Sequence, residues 1–216
     1  MSDMRLDVDQ AGELKAAFRR FGYTNEQIKS LCENELLRQA RAVMMGEARF
    51  VPIPLLTEIT TVSFLAVERF EAAVAFGPGS GINFHLGGNF RKYLLPKVEE
   101  NVPAWPGLIH RLERNSLDAP IRAELTPTRE RTYLAHLHQL IKAQPNGEEG
   151  PLPVDGSAVV IAYIDGVVPE GEEEEATEPW AVHAYCFVDF RRWDVSAFPV
   201  ACPGGWYAGF QVLSGK

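Results

Sequence analysis

The sequence predicts an α+β fold, with a helical N-terminal two-thirds packed on a C-terminal antiparallel β-meander of three to four strands. Three observations predict it. Apolar residues recur at helical spacing through most of the first 142 residues. Beyond residue 157 the period falls towards two, with Gly and Pro as punctuation. Nine of the 22 aromatic residues lie in the last 37, which suits a sheet laying an aromatic face on the helices. A single α+β domain over 1–216 is expected. Its subdivision would be 1–144, mainly helical, and 158–216, mainly β, with the Pro/Gly/Glu stretch 145–157 as the boundary signal.

The elements follow in order. Leu14, Ala17, Phe18 and Phe21 keep the i, i+3, i+4, i+7 spacing of a helix, and Gly22 stops it. Thr24 opens a second helix with Gln27 at the reciprocal capping position, a stripe from Ile28 to Met44, and Gly46 as its end. Residues 50–56, with prolines at 52 and 54, read as an extended connector. From Glu58 to Phe76 a helix is favoured, although Ile59–Phe64 would serve as a strand about as well. Asn89 would cap a helix towards Glu100, and Pro106 would begin a short one over Gly107–Asn115. Thr126-Pro127 is a cap followed by an N1 proline. The helix after it carries Tyr133, Leu134, Leu137, Leu140 and Ile141 on one face, and Pro145-Asn146-Gly147 ends it. The strands are Ala158–Asp165, Trp180–Phe190 and Trp206–Leu213, with Phe198–Cys202 as a short fourth.

Composition narrows the function classes. With 216 residues, 46 % apolar and 23 % charged, the chain has material for a proper core. No apolar run approaches the ~18 residues of a membrane helix. Met1–Gln10 holds three Asp and no apolar stretch, so no secretory signal is expected and a cytoplasmic location is. The net charge of −8 argues against general nucleic-acid binding, which needs Lys and Arg in excess. A helix-turn-helix over the first two helices would present Glu26, Lys29, Glu33, Glu35 and Arg38, a mixed surface unsuited to a DNA groove.

The charge is unevenly placed. Between Ala143 and Phe190 there are eleven carboxylates and no Lys or Arg, so the rest of the chain sums to +3. Glu172, Glu173, Glu174 and Glu175 form a hairpin loop whose field would steer a basic protein partner, and this interaction module is the preferred function. The blander reading is a solubilising loop that protects a sheet edge.

The second functional reading is a small-molecule binder or enzyme. Its site would be the segment Gly77–Asn89, where bare backbone at Gly79 and Gly81, with His85, Asn89 and Arg91, would hold a small anionic ligand at a helix N-terminus. Neither the dinucleotide fingerprint nor the P-loop spacing is present. A third reading is a component of a homo-oligomer with no chemistry of its own.

Catalytic candidates are Cys202, at a turn before Gly204-Gly205, with His183 or His85 as base. On a strand Cys186 shares the core face with Val182 and Ala184, while His183 shares the other with Tyr185 and Phe187. A Cys186–Cys202 bridge is the minority reading of three cysteines in a reducing compartment. His136 and His138, about 200° apart on a helix, cannot share an ion, and one is expected to face solvent. The cluster Asp189, Arg191, Arg192, Asp194 reads as a solvated strand end with internal ion pairs. No metal and no cofactor is expected.

Overall fold

The computed structural model describes residues 7–33, 36–49, 53–169, 171, 178–202 and 204–216. The chain forms two compact units, Met1–Ile53 and Pro54–Lys216.

The first unit is helical, with α1 (Val8–Arg20), α2 (Asn25–Glu33) and α3 (Leu36–Met44). Two of the helix starts are capped reciprocally, α2 as its sequence predicts and α1 without such a forecast. Gln10 N donates to Asp7 Oδ1 at 2.7 Å while Asp7 N donates to Gln10 Oε1 at 3.2 Å. Thr24 and Gln27 repeat the exchange at 2.9 and 3.2 Å. Gly22 follows α1 at φ 74°, a left-handed stop that glycine adopts without a Cβ clash.

The second unit overturns the expected division into helices and a small meander. It is a mixed α/β layer built on one seven-stranded sheet, whose strands come from both halves of the chain. Its strands are β1 (Leu56–Phe64), β3 (Phe84–Leu86), β5 (Trp105–Leu112), β6 (Val160–Ile164), β7 (Trp180–Phe187), β8 (Arg192–Pro199) and β9 (Gln211–Gly215). The order is β1-β5-β9-β6-β7-β8-β3. Strands β6, β7 and β8 do run as an antiparallel meander, but β9 returns to pair parallel with β6 and antiparallel with β5. A separate two-stranded sheet joins β2 (Val67–Glu71) to β4 (Val98–Val102). The helices of this unit are short: α4 (Ala72–Ala75), α5 (Asp118–Leu125), α6 (Pro127–Glu130) and α7 (Leu134–Ala143).

Each displaced helix has a physical reason. Ile59, Thr60, Thr61 and Val62 are consecutive β-branched residues, which a pleated ladder accommodates and a helix crowds. Their strand β1 pairs with β5, and a bulge falls between Glu58 and Thr60. In β5, Gly107, Leu108, Ile109 and His110 are all buried because the strand lies inside the sheet. A run apolar on both faces carries no period with which to tell strand from helix. Past Asn89, only a five-residue π-helical turn forms (Phe90–Leu94), and β4 takes up the residues beyond it.

The sheet is covered differently on its two sides. One face carries Val160, Ala162, Val182, Trp193, Val195 and Leu213 against Leu134, Leu137 and Ile141 of α7. The other carries Leu112, Ile161, Tyr163 and Val212 against Ile121 and Leu125 of α5 and against Trp206. Cys186 lies in the first core, on the face its strand parity predicts. Among the described residues no helix is long and apolar enough to cross a membrane.

Candidate functional site

Strand β2, the turn α4 and helix α7 meet around a groove of about 780 Å³. Leu65, Val67, Phe70, Val74, Ala75 and Ala135 make most of its wall, and Arg69, Glu71, His138, Gln139 and Lys142 supply its polar atoms. The volume falls within the range of small-molecule sites, as does the mostly apolar lining with a few polar groups.

Local interactions fix this shape. Helix α7 has no side-chain cap of its own at Tyr133. The buried Glu99 of β4 reaches across instead and accepts from Leu134 N at 3.0 Å and Ala135 N at 2.9 Å. A carboxylate on free helix-end amides also complements the positive end of the dipole. Gln139 holds the lip: its Nε2 donates to the Leu65 carbonyl at 3.0 Å, and its Oε1 accepts from Leu65 N at 2.9 Å. Leu65 and Val74 stand at the rim, 75 % and 67 % exposed.

The polar groups differ in availability. Arg69 is tied to Glu71 at 2.8 Å and to Glu100. Among the described residues Lys142 makes no ion pair and no side-chain hydrogen bond. It is exposed at the C-terminal turn of α7. His138 packs among Phe70, Phe76 and Phe84, with ring centroids 5.5, 5.2 and 6.5 Å away. Burial holds its pKa below the ordinary value; nearby Lys142 acts the same way, and a hydrogen bond to the Ala75 carbonyl opposes both. Its Nε2 is buried without a hydrogen-bond partner.

Neither histidine of α7 faces solvent in the expected way. His136 is fully buried, stacked on Phe64 at 4.4 Å and Trp105 at 5.2 Å. The 200° between the two residues places them in two different aromatic nests. No group of three or more metal-ligating side chains occurs among the described residues.

The glycine segment is partly dispersed. Gly81, at φ 76°, and Arg91 line a cleft of about 510 Å³ together with Gly77, Pro78, Asn83 and Phe84. Gly79 lies in the 3-10 turn Pro78–Ser80 outside that lining. Asn89 donates from Nδ2 to the Ala197 carbonyl at 3.1 Å, and Arg91 donates from Nε to the Leu86 carbonyl at 2.9 Å. His85 leaves the cleft altogether. Its strand runs parallel to β8, and its Nδ1 lies 3.3 Å from Asp194 Oδ2. Arg192 holds the other oxygen of Asp194 at 2.7 Å, so this strand end is internally paired.

Cys202 and His183 come to one neighbourhood. A cavity of about 100 Å³ is lined by Asp118, Phe198, Cys202, Gly204, Gly205 and Trp206. The His183 ring stacks on Phe198 at 5.0 Å and meets Trp206 edge-on at 5.5 Å. Burial pushes His183 down to about 4, so it is neutral at physiological pH, and its Nδ1 is buried without a partner. The carboxylate here, Asp118, is committed elsewhere: its Oδ1 accepts from Trp206 Nε1 at 2.7 Å and Tyr163 OH at 2.8 Å. Burial raises its pKa, and those two donors counter the rise. All three cysteines are free thiols. Cys186 is buried, and desolvation, with the charge of Glu148, raises its pKa.

Glu172, Glu173, Glu174 and Glu175 lie outside the described residues. Their neighbour Glu178 accepts from Arg122 Nη1 at 3.1 Å.

The groove residues Phe70, Val74 and Lys142 carried no sequence signal of a site, and His138 drew notice only as half of a His-x-His pair. Phe70 and Val74, four apart, fit the stripe of a helix, and Lys142 reads as an ordinary last-turn cation. Comparison of the chain with protein-family models, with curated proteins and with solved structures finds no match.

Proposed function

We propose that the protein is a binding protein for an apolar molecule that carries one anionic group, held in the groove between α7 and the β2–α4 corner. The observation that carries this reading is the groove itself: about 780 Å³, walled by aliphatic and aromatic side chains, with an uncommitted ammonium at Lys142. An apolar body is favoured because it removes Leu65, Val74 and the Phe70 wall from water. An anionic group is favoured because Lys142 is the cation of the lining with no acidic partner among the described residues, whereas Arg69 is neutralised by two glutamates. The neutral His138 adds no second positive charge.

The probe 8-anilinonaphthalene-1-sulfonate has both features and reports its own burial by fluorescence. Saturable one-to-one binding is expected. Val74→Glu should weaken it about tenfold or more by placing a carboxylate in the wall. Phe190→Glu, at a residue equally exposed (67 %) and absent from the groove lining, should leave it unchanged. Lys142→Ala should weaken it about three- to tenfold at low ionic strength. Equal effects of the Val74 and Phe190 variants would refute the assignment.

A second reading has one observation in its favour: Gly81 and Arg91 share the cleft of about 510 Å³ beside the glycine segment. It predicts that inorganic phosphate protects the protein thermally, and that Arg91→Ala abolishes the protection.

A further inference from the structure

We infer that the ligand is an apolar hydroxy acid whose hydroxyl donates to His138 Nε2 and whose carboxylate pairs with Lys142, an assignment that rests on the groove being the binding site and names the chemistry of its polar end. The polar side chains of the lining divide into engaged and open groups. Arg69 and Glu71 pair at 2.8 Å, and Glu100 also holds the guanidinium. Gln139 engages both ends of its amide on the backbone of Leu65. Among the described residues that leaves Lys142, with no partner, and one nitrogen of His138.

The tautomer of His138 is set by its neighbour. The imidazole hydrogen-bonds to the Ala75 carbonyl, which can only accept. Nε2 has no partner, so Nδ1 is the donor to that carbonyl. In a neutral imidazole a proton on Nδ1 leaves a lone pair on Nε2. Phe70, Phe76 and Phe84 pack around the ring and their side chains offer no conventional donor. Nε2 is thus a buried acceptor with nothing to accept from, a state that folded proteins seldom leave unmet. A hydroxyl on a groove occupant supplies the missing donor. A carboxylate or sulfonate does not, because at neutral pH each only accepts. Lys142 follows His138 by one helical turn on the same face of α7, with Cβ atoms about 5–6 Å apart. Its flexible stem brings the ammonium to an anion beside the hydroxyl. Donor and anion therefore sit together at one end of the ligand, as they do when a fatty acid carries its hydroxyl on the second or third carbon. The apolar chain then lies along Leu65, Val67, Phe70 and Val74.

The test is displacement of 8-anilinonaphthalene-1-sulfonate from the full chain by decanoate, 3-hydroxydecanoate and 3-methoxydecanoate, below micelle-forming concentrations. The three acids share a chain and a carboxylate, and only the hydroxy acid carries a donor on the third carbon. Wild type should bind it at least about fivefold more tightly than decanoate, and should bind the methoxy acid no better than decanoate. His138→Phe keeps a ring in the aromatic nest and removes the acceptor. It should still bind decanoate and should lose the preference for the hydroxyl. A second readout needs no variant: in ¹⁵N-labelled wild type the His138 Nε2 resonance should move towards the protonated range with the hydroxy acid and hold its place with decanoate. Equal affinity of wild type for the three acids overturns the inference and leaves the groove as a binding site. A hydroxyl preference that survives in His138→Phe, or an Nε2 resonance indifferent to the hydroxy acid, also overturns it. A probe that does not bind, or that no acid displaces, overturns the groove reading with it.

Discussion

Asp118 shows how much one buried side chain can hold. Its single oxygen Oδ1 collects the Trp206 indole and the Tyr163 phenol, which lie 88 and 45 residues away in sequence. The carboxylate thus ties the start of α5, the middle of β6 and the C-terminal loop into one node. Asp118→Ala would orphan both donors in a dry site and should cost about 2–4 kcal/mol in urea unfolding, the sum of two unmade buried hydrogen bonds. Tyr163→Phe removes one donor and leaves the carboxylate its indole partner, so about 1 kcal/mol is expected. Equal losses from the two variants would contradict the node. Little of this was legible in the sequence, because nothing local to Asp118 announces partners so distant. By contrast, the burial of Cys186 with Val182 and Ala184 was legible, because alternation along a strand assigns faces without any knowledge of the sheet.

Among the elements, α7 matters most to the groove, and its coreward face of Leu134, Leu137, Leu140 and Ile141 follows from helical spacing alone. Its start does not. Thr126-Pro127 marks a helix, but that helix is only α6, and Arg131–Tyr133 turn extended to bridge β6 before α7 begins. The true cap is Glu99, a residue no local rule could nominate because it arrives from another sheet. Glu99→Ala should cost about 2–3 kcal/mol, more than an exposed cap, since two backbone amides lose a charged acceptor in a buried place. Glu99→Gln, which keeps an acceptor, should recover about half of that. Both are read by chemical denaturation, and an Ala variant as stable as wild type would show the cap to be idle. Strand β5 escaped the sequence for a related reason: burial on both faces erases the period that separates strand from helix. Strand β1 is instead an edge strand, largely exposed, whose β-branched run fitted a strand about as well as a helix.

Across the whole molecule, four of the five histidines have pKa values lowered first by burial: His110, His136, His138 and His183. Below the ordinary value of 6.5 the unfolded chain binds protons that the folded chain refuses. Stability should therefore be full above about pH 7 and should fall as the pH drops through 6.5 towards 4, the window bounded by His183 at about 4. The loss of stability over this window should exceed what His183 alone supplies, because three further histidines are shifted in the same direction. A thermal melt series from pH 8 to 4 checks this, and His183→Phe should flatten it. The large sheet, its parallel closure and the groove itself were beyond sequence reasoning. The groove is assembled from segments near residues 65–75 and 135–143, each unremarkable alone.

The central claim is that this groove receives a ligand with an apolar body and an anionic group. The most direct measurement is a two-dimensional ¹⁵N–¹H chemical-shift titration of the full chain with 8-anilinonaphthalene-1-sulfonate. The account predicts saturable shifts concentrated at Leu65–Ala75 and Ala135–Ala143. Shifts centred on Gly77–Arg91, or the same pattern retained in full by Val74→Glu, would contradict it.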